Sequence, residues 1–168
     1  MARADSLTEA RFTPLLFNDV IDNSLDQMLP QAKSRHIQFD LDMPDDDLWI
    51  EGDAPSLERA VSNILSNAIK YSPDDTSIKI RLYGVSGSAI LIIDDEGVGI
   101  DPAMLGQLFA RFKRDASTES EFKGIGLGLA LVSRVVTLHG GQVVASNLPK
   151  GTRITLQLPL EKEEPAVE

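Results

Sequence analysis

Three segments of this chain alternate apolar and polar residues one for one: IQFDLDM at 37–43, IKIRL at 78–82 and ITLQL at 154–158. A period of two puts every apolar side chain of a strand on one face, so each segment predicts a strand with one wet side. A fourth segment, AILII at 89–93, is apolar throughout and predicts a more central strand. A sheet covered by helices on both faces has strands that read mostly as continuous apolar runs. Three half-wet strands argue against that arrangement. They favour an α+β chain folded as a two-layer sandwich, with helices on one face of the sheet only.

Three helices are predicted to cover that face. The first spans about Asn18–Ser34, with Val20, Ile21, Leu25 and Leu29 at helical spacing. The second spans about Ala54–Tyr71 and ends before Pro73; its stripe is Leu57, Ala60, Val61, Ile64, Leu65 and Ala68. The third spans about Leu127–His139, stopped by Gly140 and Gly141, with Leu127, Leu131, Val135 and Leu138 as its stripe.

A chain of 168 residues is long enough for one domain with a real core. Residues 11–160 are expected to form it, with 1–10 a remnant of cloning or of a preceding helix and 161–168 a frayed polar tail. The chain has no cysteine, which excludes disulfides and thiolate metal sites. No apolar run approaches the roughly 18 residues of a membrane span, and a cytoplasmic setting is expected. A net charge of −10 without a dense basic run argues against nucleic-acid binding. An anionic nucleotide needs only local positive charge, which Lys70, Arg111, Lys113, Arg114 and Lys123 can supply.

Those basic residues lie in or beside four short motifs. In NILSNAIKY, Asn63 and Asn67 are four apart and share a helix face, with Lys70 three residues further on. An amide oxygen is a hard neutral ligand that suits Mg²⁺, and a lysine one turn on can neutralise phosphate; two solvated amides would look the same. In DEGVGI, Asp95 ends the apolar strand and Gly97 and Gly99 follow. A carboxylate there can accept from the exocyclic amine of adenine, whereas guanine would present a carbonyl; a plain acidic turn is the alternative. FARFKR at 109–114 is an aromatic-basic patch. GIGLGL at 124–129 repeats glycine every second residue before entering a helix, where N–H groups can bind phosphate. Its spacing is not that of a dinucleotide fingerprint, and no P-loop lysine follows.

In this order the four motifs resemble the N, G1, F and G2 boxes of sensor histidine kinase catalytic domains, in the ATPase superfamily shared with gyrase, Hsp90 and MutL. The resemblance covers roughly residues 10–160 and implies a Bergerat-type ATP-binding fold with a mixed sheet. It implies ATP and Mg²⁺ as cofactors, with Asn67 as the metal ligand and Asn63, Lys70 and Tyr71 at the phosphates and sugar. Asp95 becomes the adenine reader, with Gly97, Gly99, Ile100 and Thr152 beside it. Phe112, Lys123, Gly124, Gly126, Leu127, Gly128 and Leu129 become cofactor-binding through the F and G2 boxes. The stretch 115–121 becomes an ATP lid. Arg111 and Arg114 match basic positions near the γ-phosphate or a partner domain, and join Asn63 and Lys70 as catalytic candidates.

The activity implied is transfer of the ATP γ-phosphoryl group to a histidine on a separate dimerisation domain, in a two-component phosphorelay ending at a response regulator. Hydrolytic relatives carry a glutamate one helical turn before the metal asparagine. Asn63 stands there and cannot accept a proton, so a slow ATPase is the alternative, beside a serine kinase of the same superfamily or a degenerate nucleotide sensor. Neither histidine has the context of a phosphoacceptor. His139 is expected to be structural, at a helix end, and His36 to lie on the surface.

Overall fold

A computed structural model of the chain describes residues 12–101 and 126–161. The elements run β1 (Thr13–Leu16), α1 (Phe17–Ser34), β2 (Gln38–Asp42), β3 (Trp49–Gly52), α2 (Ala54–Tyr71), β4 (Ser77–Val85), β5 (Ser88–Asp94), α3 (Gly126–Leu138), β6 (Gln142–Asn147) and β7 (Thr152–Pro159). Five strands form one sheet in the order β2-β4-β5-β7-β6, and β1 pairs with β3 in a separate two-stranded ladder. Among the described residues only the β2–β4 pairing is parallel, so the sheet is mixed.

The alternation read from the sequence is carried through the ladder. Ile78, Ile80 and Leu82 of β4, Ala89, Leu91 and Ile93 of β5, and Ile154, Leu156 and Leu158 of β7 all point into the core. Across from them lie Ile21 and Leu25 of α1, Leu57, Ile64 and Leu65 of α2, and Val132, Val135 and Val136 of α3. Each such side chain withdrawn from water contributes about 1.5–3 kcal/mol, before the entropy of ordering it. The opposite face mixes charged pairs with apolar side chains such as Tyr83 and Val144. Arg153 pairs with its ladder neighbour Asp94 through two bonds of 2.8 Å, and Arg81 lies 3.8 Å from Asp42.

The sheet's four predicted strands are all present, and α2 has the predicted bounds. Three strands were not predicted: β1, β3 and β6. The first two have only four residues each, too short for a period to register. Helix α1 begins at Phe17, and α3 runs from Gly126 to Leu138. The stripe predicted for α3 is rotated in the structure: Leu129, Val132, Val135 and Val136 are buried, while Leu138 is 37% exposed. Leu29 of α1 is likewise 38% exposed.

One local and one long-range contact set the two ends of α2, the helix that matters most for the site. The Asp53 carboxylate accepts from Ser56 N–H and caps the start of α2. At the far end, Arg35 donates to the carbonyls of Ile69, Lys70 and Ser72, and also to Asp74 at 2.8 Å. Last-turn carbonyls have no partner within a helix, so a guanidinium placed there satisfies them and complements the helix dipole.

Candidate functional site

A cleft of about 260 Å³ opens between α2, the end of β5, the start of β7 and the first turns of α3. Helix α2 contributes Ile64, Asn67, Ala68 and Tyr71. Strand β5 and the loop after it contribute Ile93, Asp95, Gly97, Val98, Gly99 and Ile100. Leu129 of α3 and Thr152 and Ile154 of β7 close it. The walls are thus largely apolar, with a carboxylate and an amide at defined places, as in most small-molecule sites.

Asp95 is held by the strand beside it. Its Oδ1 accepts from Gly97 N–H at 2.8 Å and from Thr152 N–H at 3.1 Å, and its own N–H donates to the Thr152 carbonyl at 3.0 Å. Burial pushes its carboxyl above the usual carboxylate range, the two N–H bonds pull it back, and neighbouring Asp94 pushes it further up. The close packing depends on two glycines. A Cβ on Gly97 would lie 2.5 Å from the Tyr71 carbonyl oxygen, and one on Gly151 would lie 1.9 Å from the Asp95 carbonyl oxygen. Asp94 and Glu96 have structural partners: Asp94 binds Arg153, and a Glu96 oxygen accepts from Ser77 N–H at 3.0 Å.

Asn67 reaches the cleft with its side-chain nitrogen buried and without a hydrogen-bond partner. A buried polar atom left unpaired costs stability, so the amide is suited to a group that the fold itself does not supply. The first turn of α3 passes close by: a Cβ on Gly128 would lie 3.6 Å from Asn67 Nδ2 and 4.0 Å from Asn63. The start of a helix, with its free N–H groups, therefore stands beside the amide.

Of the residues expected at the site, Asn67, Tyr71, Asp95, Gly97, Gly99, Ile100, Leu129 and Thr152 meet in this cleft. Asn63, Lys70 and Gly128 do not line it. Lys70 is exposed at the rim, its ammonium 5.5 Å from the centre of the Tyr71 ring. Gly126 and Leu127 open α3. Arg111, Phe112, Arg114, Lys123 and Gly124, with the expected lid, lie outside the described residues. The sequence reading missed Ile64, Ala68, Ile93, Val98 and Ile154; the strand and helix stripes had already marked four of them as apolar, without saying which would face a cavity.

The histidines fall where expected. His36 is exposed. His139 is 7% exposed, with Nδ1 2.8 Å from the Val135 carbonyl and Nε2 accepting from Asp53 N–H at 3.0 Å. That pattern requires the neutral ring, and burial lowers its pKa.

Residues 52–162 match the family described as histidine kinase-, DNA gyrase B-, and HSP90-like ATPase. The chain belongs to that family. Its relatives are sensor kinases: it is 36% identical over 137 residues to the sensor histidine kinase WalK of Bacillus subtilis, and 37% over 145 residues to the sensor protein BasS of Escherichia coli. Those alignments take in 79% and 85% of this chain but 22% of WalK and 39% of BasS, so the chain spans well under half of either relative. A solved structure of the mycobacterial sensor histidine kinase MprB superposes with a TM-score of 0.76 at 35% identity, covering 89% of this chain and 98% of that one. This member of the ATPase family thus has the architecture of a sensor kinase's catalytic, ATP-binding domain. Among the described residues, no helix is long and apolar enough to cross a membrane.

Proposed function

We propose that the chain binds ATP in the Asp95 cleft and donates its γ-phosphoryl group to a histidine on a separate dimerisation domain, as part of a cytoplasmic histidine kinase module that feeds a response regulator. The observation that carries this reading is the fixed Asp95 carboxylate in a largely apolar cleft. With Oδ1 occupied by two backbone donors, Oδ2 is left to accept from an adenine amine. Tyr71 and Ile100 flank the base, and Lys70 at the rim offsets phosphate charge.

The donor set fits Mg²⁺. No cluster of three or more acidic, histidine or cysteine side chains occurs among the described residues, so a cation would take one amide oxygen, from Asn67, and the nucleotide's own oxygens. Held by Asn67, Mg²⁺ would supply charge neutralisation at the phosphates during transfer. The chain's own part is positioning: α2 and the start of α3 hold the phosphate end, and β5 and β7 hold the base. Asn63, lacking the carboxylate of hydrolytic relatives, leaves water without a base, which favours transfer over hydrolysis. Calorimetric titration with ADP and a non-hydrolysable ATP analogue, with and without Mg²⁺, tests the reading. Micromolar to millimolar binding is expected, and no saturable heat at millimolar nucleotide contradicts it.

A further inference from the structure

The loop that follows β5 must hold a defined shape, because Gly97, Val98, Gly99 and Ile100 all line the cleft. Its first half is tied down by the Gly97 N–H bond to Asp95. Beyond that point β5 has ended, and the loop backbone has no ladder partner. Val98 is 93% exposed, so packing does not hold the middle of the loop.

In the second half the Ile100 side chain packs against the core, and its backbone is held by a side chain from another strand. Asn147 is the last residue of β6 and the ladder partner of Thr152. Its Oδ1 accepts from Ile100 N–H at 2.8 Å, and its Nδ2 donates to the Ile100 carbonyl at 2.6 Å. Both polar groups of one loop residue are thereby satisfied by one amide, in the way a neighbouring strand would satisfy them. Only this orientation of the amide makes both bonds. The ion pair of Lys150 with Glu96, at 3.9 Å, is exposed and long, and contributes little.

We propose that Asn147 is a positioning residue for the adenine end of the site: it touches no nucleotide, and fixes the loop that does. This rests on the ATP reading above. An aspartate would keep the acceptor for Ile100 N–H but set a carboxylate against the Ile100 carbonyl. An alanine would remove both bonds. Asn147 is exposed, so neither change opens a cavity in the core.

The test is calorimetric titration of ADP and of adenosine into the unaltered chain, Asn147→Ala and Asn147→Asp, with thermal melts and backbone hydrogen exchange of each. In Asn147→Ala both ligands should weaken about tenfold and by the same factor, a change of ~1.4 kcal/mol, because the loop meets the base and not the phosphates. Asn147→Asp should bind no better than Asn147→Ala. The amides of 97–101 should exchange faster in both variants without nucleotide, while melting temperatures barely move. An unaltered chain that binds ADP beside an Asn147→Ala that binds it equally well overturns the role of Asn147 alone. Weaker ADP with unchanged adenosine also overturns it, since the effect would then lie at the phosphates. If the unaltered chain binds neither ligand, the ATP reading falls and this role with it.

Discussion

Asp95 and Thr152 are joined twice: the Thr152 N–H donates to Asp95 Oδ1, and the Asp95 N–H donates to the Thr152 carbonyl. The carboxylate that faces the cleft is therefore fixed by the backbone of the next strand. It is also destabilised as a charge, since burial raises its pKa. A carboxyl whose pKa is raised in the fold stabilises the protein only below its unfolded value, and that contribution is lost as pH rises through the folded one.

Asp95→Asn should consequently separate binding from stability. An asparagine can still accept from Gly97 and Thr152, but its NH₂ then faces the adenine amine. Calorimetry should show ADP weakened by roughly 1–3 kcal/mol. The melting temperature at neutral pH should hold or rise, because a partly desolvated charge is removed. Unchanged ADP binding would remove Asp95 as the base reader.

Asn67→Ala addresses the phosphate end. The buried amide nitrogen of Asn67 has no hydrogen-bond partner within the fold. The substitution should weaken nucleotide binding more with Mg²⁺ than without it, by titration under both conditions. Equal losses in the two would mean that Asn67 is no metal ligand.

Arg35→Met tests what secures α2. The guanidinium serves three carbonyls at the end of the helix that carries Asn67, Lys70 and Tyr71. Losing charged bonds to partly buried acceptors should lower the unfolding free energy by ~2–4 kcal/mol in urea titration. Asp74→Ala, which breaks only the exposed arm, should cost less than ~1 kcal/mol. Similar costs for both would show that the carbonyl bonds are not the source of the stabilisation.

His139 gives the fold a pH dependence of known sign. Its folded pKa is lowered, mainly by burial, so the unfolded chain takes up the proton first as pH falls. The contribution is complete above the unfolded value of ~6.5 and is lost as pH drops below it. Urea midpoints should fall between pH ~7.5 and pH ~5.5, and His139→Gln should flatten that slope while lowering the starting stability. The exposed His36 is common to both proteins and cancels. Equal slopes would mean that His139 does not titrate in this window.

The sheet and helices were legible because their signals are local. Period two marks IKIRL and ITLQL, and a proline two residues past Tyr71 stops α2. Helix α3 was harder, since LALVSRVV is apolar on nearly every side and fixes no stripe. At the site, the sequence pointed to Asn67, Asp95 and the glycines through motif spacing. It said nothing of Arg35 on the Ile69 carbonyl or Asn147 on Ile100, which join residues 34 and 47 positions apart. Side-chain bonds to distant backbone leave no periodic trace, because the backbone partner carries no residue identity.

The most direct measurement of the central claim is phosphoryl transfer itself. The chain would be incubated with γ-labelled ATP and Mg²⁺, alone and with the dimerisation and histidine domain of a sensor kinase. His139 is buried with both ring nitrogens occupied, and it lies just past the far end of α3, about 20 Å from that helix's start at ~1.5 Å per residue. Acid-labile label is expected on the histidine domain and none on this chain. Efficient acid-labile labelling of this chain alone, abolished by changing His36 or His139, would contradict the division of donor and acceptor between separate domains.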